Sequence, residues 1–162
     1  MNELLHQPGF LGTSANWAAD MTLAASLLVA VVLTTGVVAA VKQKYGVHRV
    51  LQTLGATINA ILVLWLMVLP FRDFVAPADN PGGLPEIALV TTKIHALVGF
   101  SALVFGVFVV LRGNGLMIKP LRFNNYKLYM RISYGLYMLA TLIGIFVYIT
   151  WFVGNPSPPT YN

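Results

Sequence analysis

The chain has 162 residues, of which 57% are hydrophobic and only 9% charged, with a mean hydropathy of +0.75 and a formal charge of +5. A soluble domain carries roughly 25% charged residues, so this composition excludes a water-soluble fold. The lack of cysteine excludes disulfides, thiolate metal sites and thiol redox chemistry, leaving His, Met or oxygen ligands for any metal.

Residues 1–16 contain no Lys or Arg and so lack the basic region that opens a secretory signal. The apolar stretch 17–41 is therefore expected to be a retained span. Three more apolar stretches follow at 47–70, 88–111 and 132–153. Each reaches the roughly 20 residues a helix needs to cross about 30 Å of hydrocarbon. The expected fold is all-α: one integral membrane domain, 1–162, forming a four-helix transmembrane bundle. The turn at Gln43-Lys44-Tyr45-Gly46 is short enough to make spans one and two antiparallel neighbours. Span two is expected to stop at Pro70, before a loop whose Asn80-Pro81-Gly82-Gly83 is a turn signal and which is long enough to cap the bundle. The connection 112–129 carries Arg122, Phe123, Tyr126 and Lys127, which suit a short segment in the headgroup layer. The three prolines in 154–162 exclude a helix there.

Charge sets the expected orientation. Eight of the ten basic residues flank the first and third connections, whereas the acids fall at the N-terminal end or in the second connection. The positive-inside rule then places both basic connections in the cytoplasm and both termini on the outer side of an energy-coupling or plasma membrane. The positive charge is thus a topology signal, and membrane lipids, not nucleic acid, are the expected surroundings.

Polar residues within the spans fall into stripes. His48, Gln52, Gly55 and Asn59 follow spacings of four, three and four, one face of a helix that must contact protein. His95, Gly99, Ala102 and Gly106 form a His followed by a smooth groove for a helix or a flat cofactor, and Tyr137, Thr141, Gly144 and Tyr148 form a third stripe. At 1.5 Å per residue, Asn59 and Thr141 fall near the midplane, and His95 and Tyr148 in the outer half, so these pairs can meet. The same measure sets His48 and His95 roughly 20 Å apart along the membrane normal. They are expected not to share one haem or metal. Each remains a candidate ligand separately, for haem or copper, with Met67 or a tyrosine opposite His95. Candidate cofactor contacts are therefore His95, His48, Asn59 and Tyr148, with no catalytic residue: Walker, zincin and serine-elbow motifs are absent, and no acid lies deep in a span. Asp20 and Lys93 are expected to snorkel to the outer boundary, and His6 lies in a polar tail.

Val47-His48-Arg49, Asn59, Phe71-Arg72, Lys93-Ile94-His95, Arg131, Tyr137, Gly144 and Tyr148 together resemble domain-of-unknown-function family 420. These are small four-helix bacterial membrane proteins that include CtaM-type maturation factors of haem–copper cytochrome oxidases. The resemblance covers residues 45–152. It implies that His48 and His95 match two family histidines, while a third family histidine falls at Tyr126 and a family tryptophan at Tyr137. The function it implies is non-enzymatic: an accessory or assembly protein that docks on membrane subunits of a respiratory complex. The alternative is an intrinsic subunit of a respiratory or photosynthetic electron-transfer complex, binding haem b or quinone.

Overall fold

A computed structural model of the chain describes residues 7–121 and 124–155. His6, Glu3, Arg122, Phe123 and the proline-rich end beyond residue 155 lie outside the described residues. Four helices, α1 (Trp17–Val41), α2 (Tyr45–Val75), α3 (Glu86–Gly113) and α4 (Tyr126–Val153), are each long and apolar enough to cross a membrane. They pack as a ring: α1 against α2 and α4, α3 against α4 and α2, most extensively along α1–α2 and α3–α4. One end of the bundle carries the α1–α2 and α3–α4 connections and is basic. The other, the termini end, carries the start of α1, the end of α4 and the α2–α3 connection.

The surface is inverted relative to a soluble bundle. Leu28, Leu64, Leu97 and Leu142, one from each helix, are each more than half exposed, and a water-soluble protein rarely leaves such contiguous apolar faces. The interior is built largely from small or polar residues that let helices approach. Gly36 and Gly55 face the α1–α2 seam: a Cβ at Gly36 would lie 2.6 Å from Gln52 Nε2, and one at Gly55 would lie 2.6 Å from Leu33 Cδ2.

Helix α2 does not stop at Pro70. It is α-helical over Tyr45–Leu62, widens to π-helical turns at Val63–Met67 and Phe71–Val75, and keeps a short α segment, Val68–Pro70, between them. Proline has no N–H to donate and its ring crowds the carbonyl four residues back. Wider turns on both sides accommodate this without breaking the helix. Helix α4 starts six residues before the expected 132, because Asn125 caps it by accepting from Leu128 N at 3.3 Å. Hydropathy hid this turn, since Lys127 and Arg131 are polar but helix-compatible.

At the termini end the chain before α1 folds onto the bundle. Asn16 caps α1 by accepting from Ala19 N at 2.9 Å, and Ser14 Oγ donates to the Phe152 carbonyl at 2.6 Å. The α2–α3 connection closes through Asn80, whose side chain bonds both the N–H and the carbonyl of Leu84. Leu84 is buried with Val75, Ala88 and Trp151, so this loop does cap the bundle. At the basic end a single 3-10 turn, Lys119–Leu121, lies within the third connection.

The α1–α2 seam predicts a contrast between two glycines. Gly36→Val should lower the thermal unfolding midpoint in detergent, with overpacking costing about 1–3 kcal/mol. Gly135→Ala should be neutral or stabilising, since a Cβ there meets nothing within 4 Å. Circular dichroism melts of the two variants check this.

Candidate functional site

The stripes expected on α2 and α4 do face inward. His48, Gly55, Tyr137 and Tyr148 are buried. The polar groups on them bond mainly to backbone carbonyls of neighbouring helices. His48 Nδ1 lies 2.8 Å from the Gly36 carbonyl, and Gln52 Nε2 donates to the Leu33 carbonyl at 2.9 Å, clamping α2 to α1. His95 Nδ1 lies 3.1 Å from the Ala140 carbonyl, clamping α3 to α4. The His95 ring lies over Gly144, where a Cβ would come within 3.0 Å of Cε1. A carbonyl can only accept, so each Nδ1 carries the proton. In the neutral ring, Nε2 is then left with its lone pair.

The two histidines therefore belong to different helix pairs. A resident bis-His haem does not fit this arrangement. Among the described residues no group of three or more His, Cys, Asp or Glu comes together as a metal site either. The two predicted pairings are not hydrogen bonds. Thr141 Oγ1 donates to the Tyr137 carbonyl on its own helix, and Tyr148 is engaged at the termini end.

There Asp20, expected to snorkel, is instead fully buried. It accepts from Tyr148 Oη at 2.5 Å and from Leu11 N at 2.7 Å, and Tyr148 Oη also lies 2.7 Å from Thr13 Oγ1. A Cβ at Gly9 would collide with the Asp20 carboxylate, so only glycine lets the loop close over it. Burial wins over snorkelling because a short Asp side chain cannot reach far, whereas the folded loop brings it donors. The sequence signal was an acid in the first turn of an apolar helix, four residues after an Asn cap. Lys93, by contrast, is exposed.

At the basic end the four helices part around a cavity of about 480 Å³. His48, Gln52 and Asn59 of α2 line it, with Ala102 and Gly106 of α3 and Tyr134 and Tyr137 of α4. Thus half of the α3 groove faces this space, and of the four candidate residues it gathers His48 and Asn59 but not His95 or Tyr148. Tyr134 and Tyr137 anchor α4 to α1: Tyr134 Oη lies 2.9 Å from Thr34 Oγ1, and Tyr137 Oη donates to the Ser26 carbonyl at 3.1 Å. Asn59 differs from all of these. Among the described residues its amide has no hydrogen-bond partner, and it lies on the cavity wall. Arg49, Lys127 and Arg131 line the same cavity. The spacing 127, 131, 134 on α4 held that signal, which charge counting absorbed into topology.

The unequal bonding of the two amides gives a second prediction. Gln52→Leu should destabilise the detergent-solubilised protein by about 0.6–1.7 kcal/mol, the range for interhelical polar bonds. Asn59→Leu should leave stability unchanged or raise it, since no bond is lost. Paired thermal melts decide, and a larger loss at Asn59 would contradict the unbonded amide. No family model matches the chain, and searches of curated proteins and of solved structures find no match either.

Proposed function

We propose that this chain is a non-enzymatic accessory or assembly protein of a respiratory haem–copper oxidase-type complex. In this reading it lies in the bacterial cytoplasmic membrane with both termini on the outer side and its basic end in the cytoplasm. It acts by laying its apolar outer faces against the membrane subunits of the partner. The resemblance of residues 45–152 to domain-of-unknown-function family 420 motivates the reading. The observation that carries it is the state of the two histidines which that resemblance matches. Both are held through Nδ1 on a backbone carbonyl of the neighbouring helix, the arrangement that orients an imidazole as a ligand through Nε2.

They do so on separate helix pairs, with His48 buried on the cavity wall and His95 in the α3–α4 seam, which suits two separate contacts with haem or copper that reaches the bundle interior and not a resident two-histidine centre. The outward faces supply the rest of the contact. Trp65 of α2 and Phe100 of α3 are each about three-fifths exposed, and large aromatics are the side chains that anchor interfaces.

A second reading, an intrinsic subunit of an electron-transfer complex holding haem b or quinone, draws on the cavity and its unbonded Asn59. Purification from native membranes in mild detergent separates the two. The accessory reading expects oxidase subunits to co-purify with the chain and the isolated chain to show no Soret band. It also expects His48→Ala or His95→Ala to lower the haem content of the partner oxidase. A Soret band that stays with the isolated chain, or oxidase assembled normally in a deletion strain, would overturn it.

A further inference from the structure

The cavity at the basic end combines two features that point to one class of ligand. Its walls are mostly apolar, from Leu33 and Val37 of α1, Ala102 and Val107 of α3, and their neighbours. Its rim carries Arg49 from α2 and Lys127 and Arg131 from α4, with no acid among the described lining residues. All three cations are exposed, and none of their side chains has a hydrogen bond or ion pair among the described residues. Basic residues at the inner ends of helices are expected from topology alone. What topology does not require is that three of them, from two different helices, converge on one hollow.

The depth is informative as well. From the helix ends at Tyr45, Gly113 and Tyr126, the lining reaches Asn59, Ala102 and Tyr137. At 1.5 Å per residue that is roughly 16–21 Å, or a little more than half of a hydrocarbon core of about 30 Å. The hollow therefore extends about one leaflet's depth from the helix ends, and its deep lining residues Ala102 and Tyr137 belong to the packed cluster that also holds Val29 and Leu62. Its volume falls within the range of about 300–1,000 Å³ typical of ligand pockets.

We propose that this cavity is a binding site for an anionic phospholipid. The headgroup phosphate sits among Arg49, Lys127 and Arg131, and one acyl chain runs down the apolar wall beside Gly106. The phosphate supplies the counter-charge that the three cations lack among the described residues. The acyl chain fills the apolar space, which would otherwise leave its lining without contacts. Asn59 lies ten residues deeper than Arg49, roughly 15 Å further in, and takes no part in headgroup recognition. The inference does not depend on the respiratory reading, since it follows from the hollow and its rim alone.

Reconstitution into vesicles of mixed phosphatidylglycerol and phosphatidylcholine, followed by detergent extraction and native mass spectrometry, reads the lipid retained. Phosphatidylglycerol should be retained in preference to phosphatidylcholine. Substituting the rim cations by glutamine should weaken retention about fivefold per charge removed. The control triple Lys42→Gln, Lys44→Gln and Lys119→Gln, at the same end but off the cavity, should leave the bound lipid in place. Gly106→Leu should expel the lipid while preserving the fold, because a Cβ there meets nothing closer than Ser133 Oγ at 3.8 Å. Ala56→Leu, on the α2 wall, should act in the same way, and circular dichroism confirms that both variants are folded. Excess inorganic phosphate should not displace the lipid.

Equal retention of the two lipids would overturn the proposal, as would a control triple as damaging as the rim triple. If phosphate competes and Gly106→Leu has no effect, the rim serves a soluble anion and the lipid assignment fails. If decylubiquinone is retained instead, and is lost in Asn59→Leu but not in the rim variants, the hollow is a quinone pocket and the proposal falls.

Discussion

Polar groups placed among apolar helices have no water to turn to, and in this bundle they turn to backbone carbonyls of the adjacent helix. His48, Gln52, His95 and Tyr137 all do this, reaching Gly36, Leu33, Ala140 and Ser26 in turn. A helical carbonyl already bonded within its own helix keeps a second lone pair, so these acceptors are available without unwinding anything. Each such bond fixes both the rotation and the register of a helix pair. A one-residue slip of α2 along α1 would move the His48 and Gln52 donors off their carbonyls together. Hydrophobic contact alone does not discriminate in this way, because apolar side chains meet apolar surroundings equally well on either side of the slip.

The two ends solve the same problem differently. At the termini end, several buried polar groups meet one another within the protein. The Asp20 carboxylate takes the Tyr148 hydroxyl and the Leu11 N–H, and Trp151 Nε1 donates to Thr92 Oγ1 at 2.9 Å. That end is closed, with Val75, Leu84, Ala88 and Trp151 packed beneath the connecting loop. At the basic end cations gather around a hollow, and none of the three at its rim finds an acid among the described residues. The segregation of charge in the sequence makes this unavoidable, since every described acid lies at the other end of the bundle or in its loop. None of the described acids neutralises the rim.

Much of this was legible before any coordinates. The four spans follow from hydropathy, and the inward stripes on α2 and α4 follow from spacings of three and four, because both depend only on local periodicity. Pro70 misled for an instructive reason: proline excludes a regular α-turn, yet a π-turn also relieves it, and composition does not distinguish a stop from a widening. Asp20 misled because snorkelling reads depth alone, while its partners come from Leu11 and Tyr148, one nearby and one 128 residues away. Asn59 and Thr141, and His95 and Tyr148, are not joined by hydrogen bonds among the described residues for a related reason. Depth limits which residues can meet, but rotation about each helix axis decides which do, and rotation is a product of packing. The cavity lay beyond sequence reasoning altogether, being the space that four packed helices leave.

His48 joins these features. Its Nδ1 holds α1 against α2 through Gly36, while the same residue lines the cavity. The glycine at its acceptor also admits Gln52, whose Nε2 lies 2.6 Å from where a Cβ would stand. An occupant of the hollow therefore rests against a ring that sets the α1–α2 register. Binding there is linked to the packing of that helix pair, because a ligand that fits only the clamped arrangement stabilises the clamp by the free energy of its own binding. The reverse holds as well: loosening the seam at Gly36 weakens what the hollow can hold. Helix α3 shares the cavity wall but keeps its own histidine clamp to α4, so the α3–α4 seam is held by a bond independent of the one at His48. The bundle thus combines a seam coupled to its cavity with one that is anchored separately, and both are built from the same bond between an imidazole and a carbonyl.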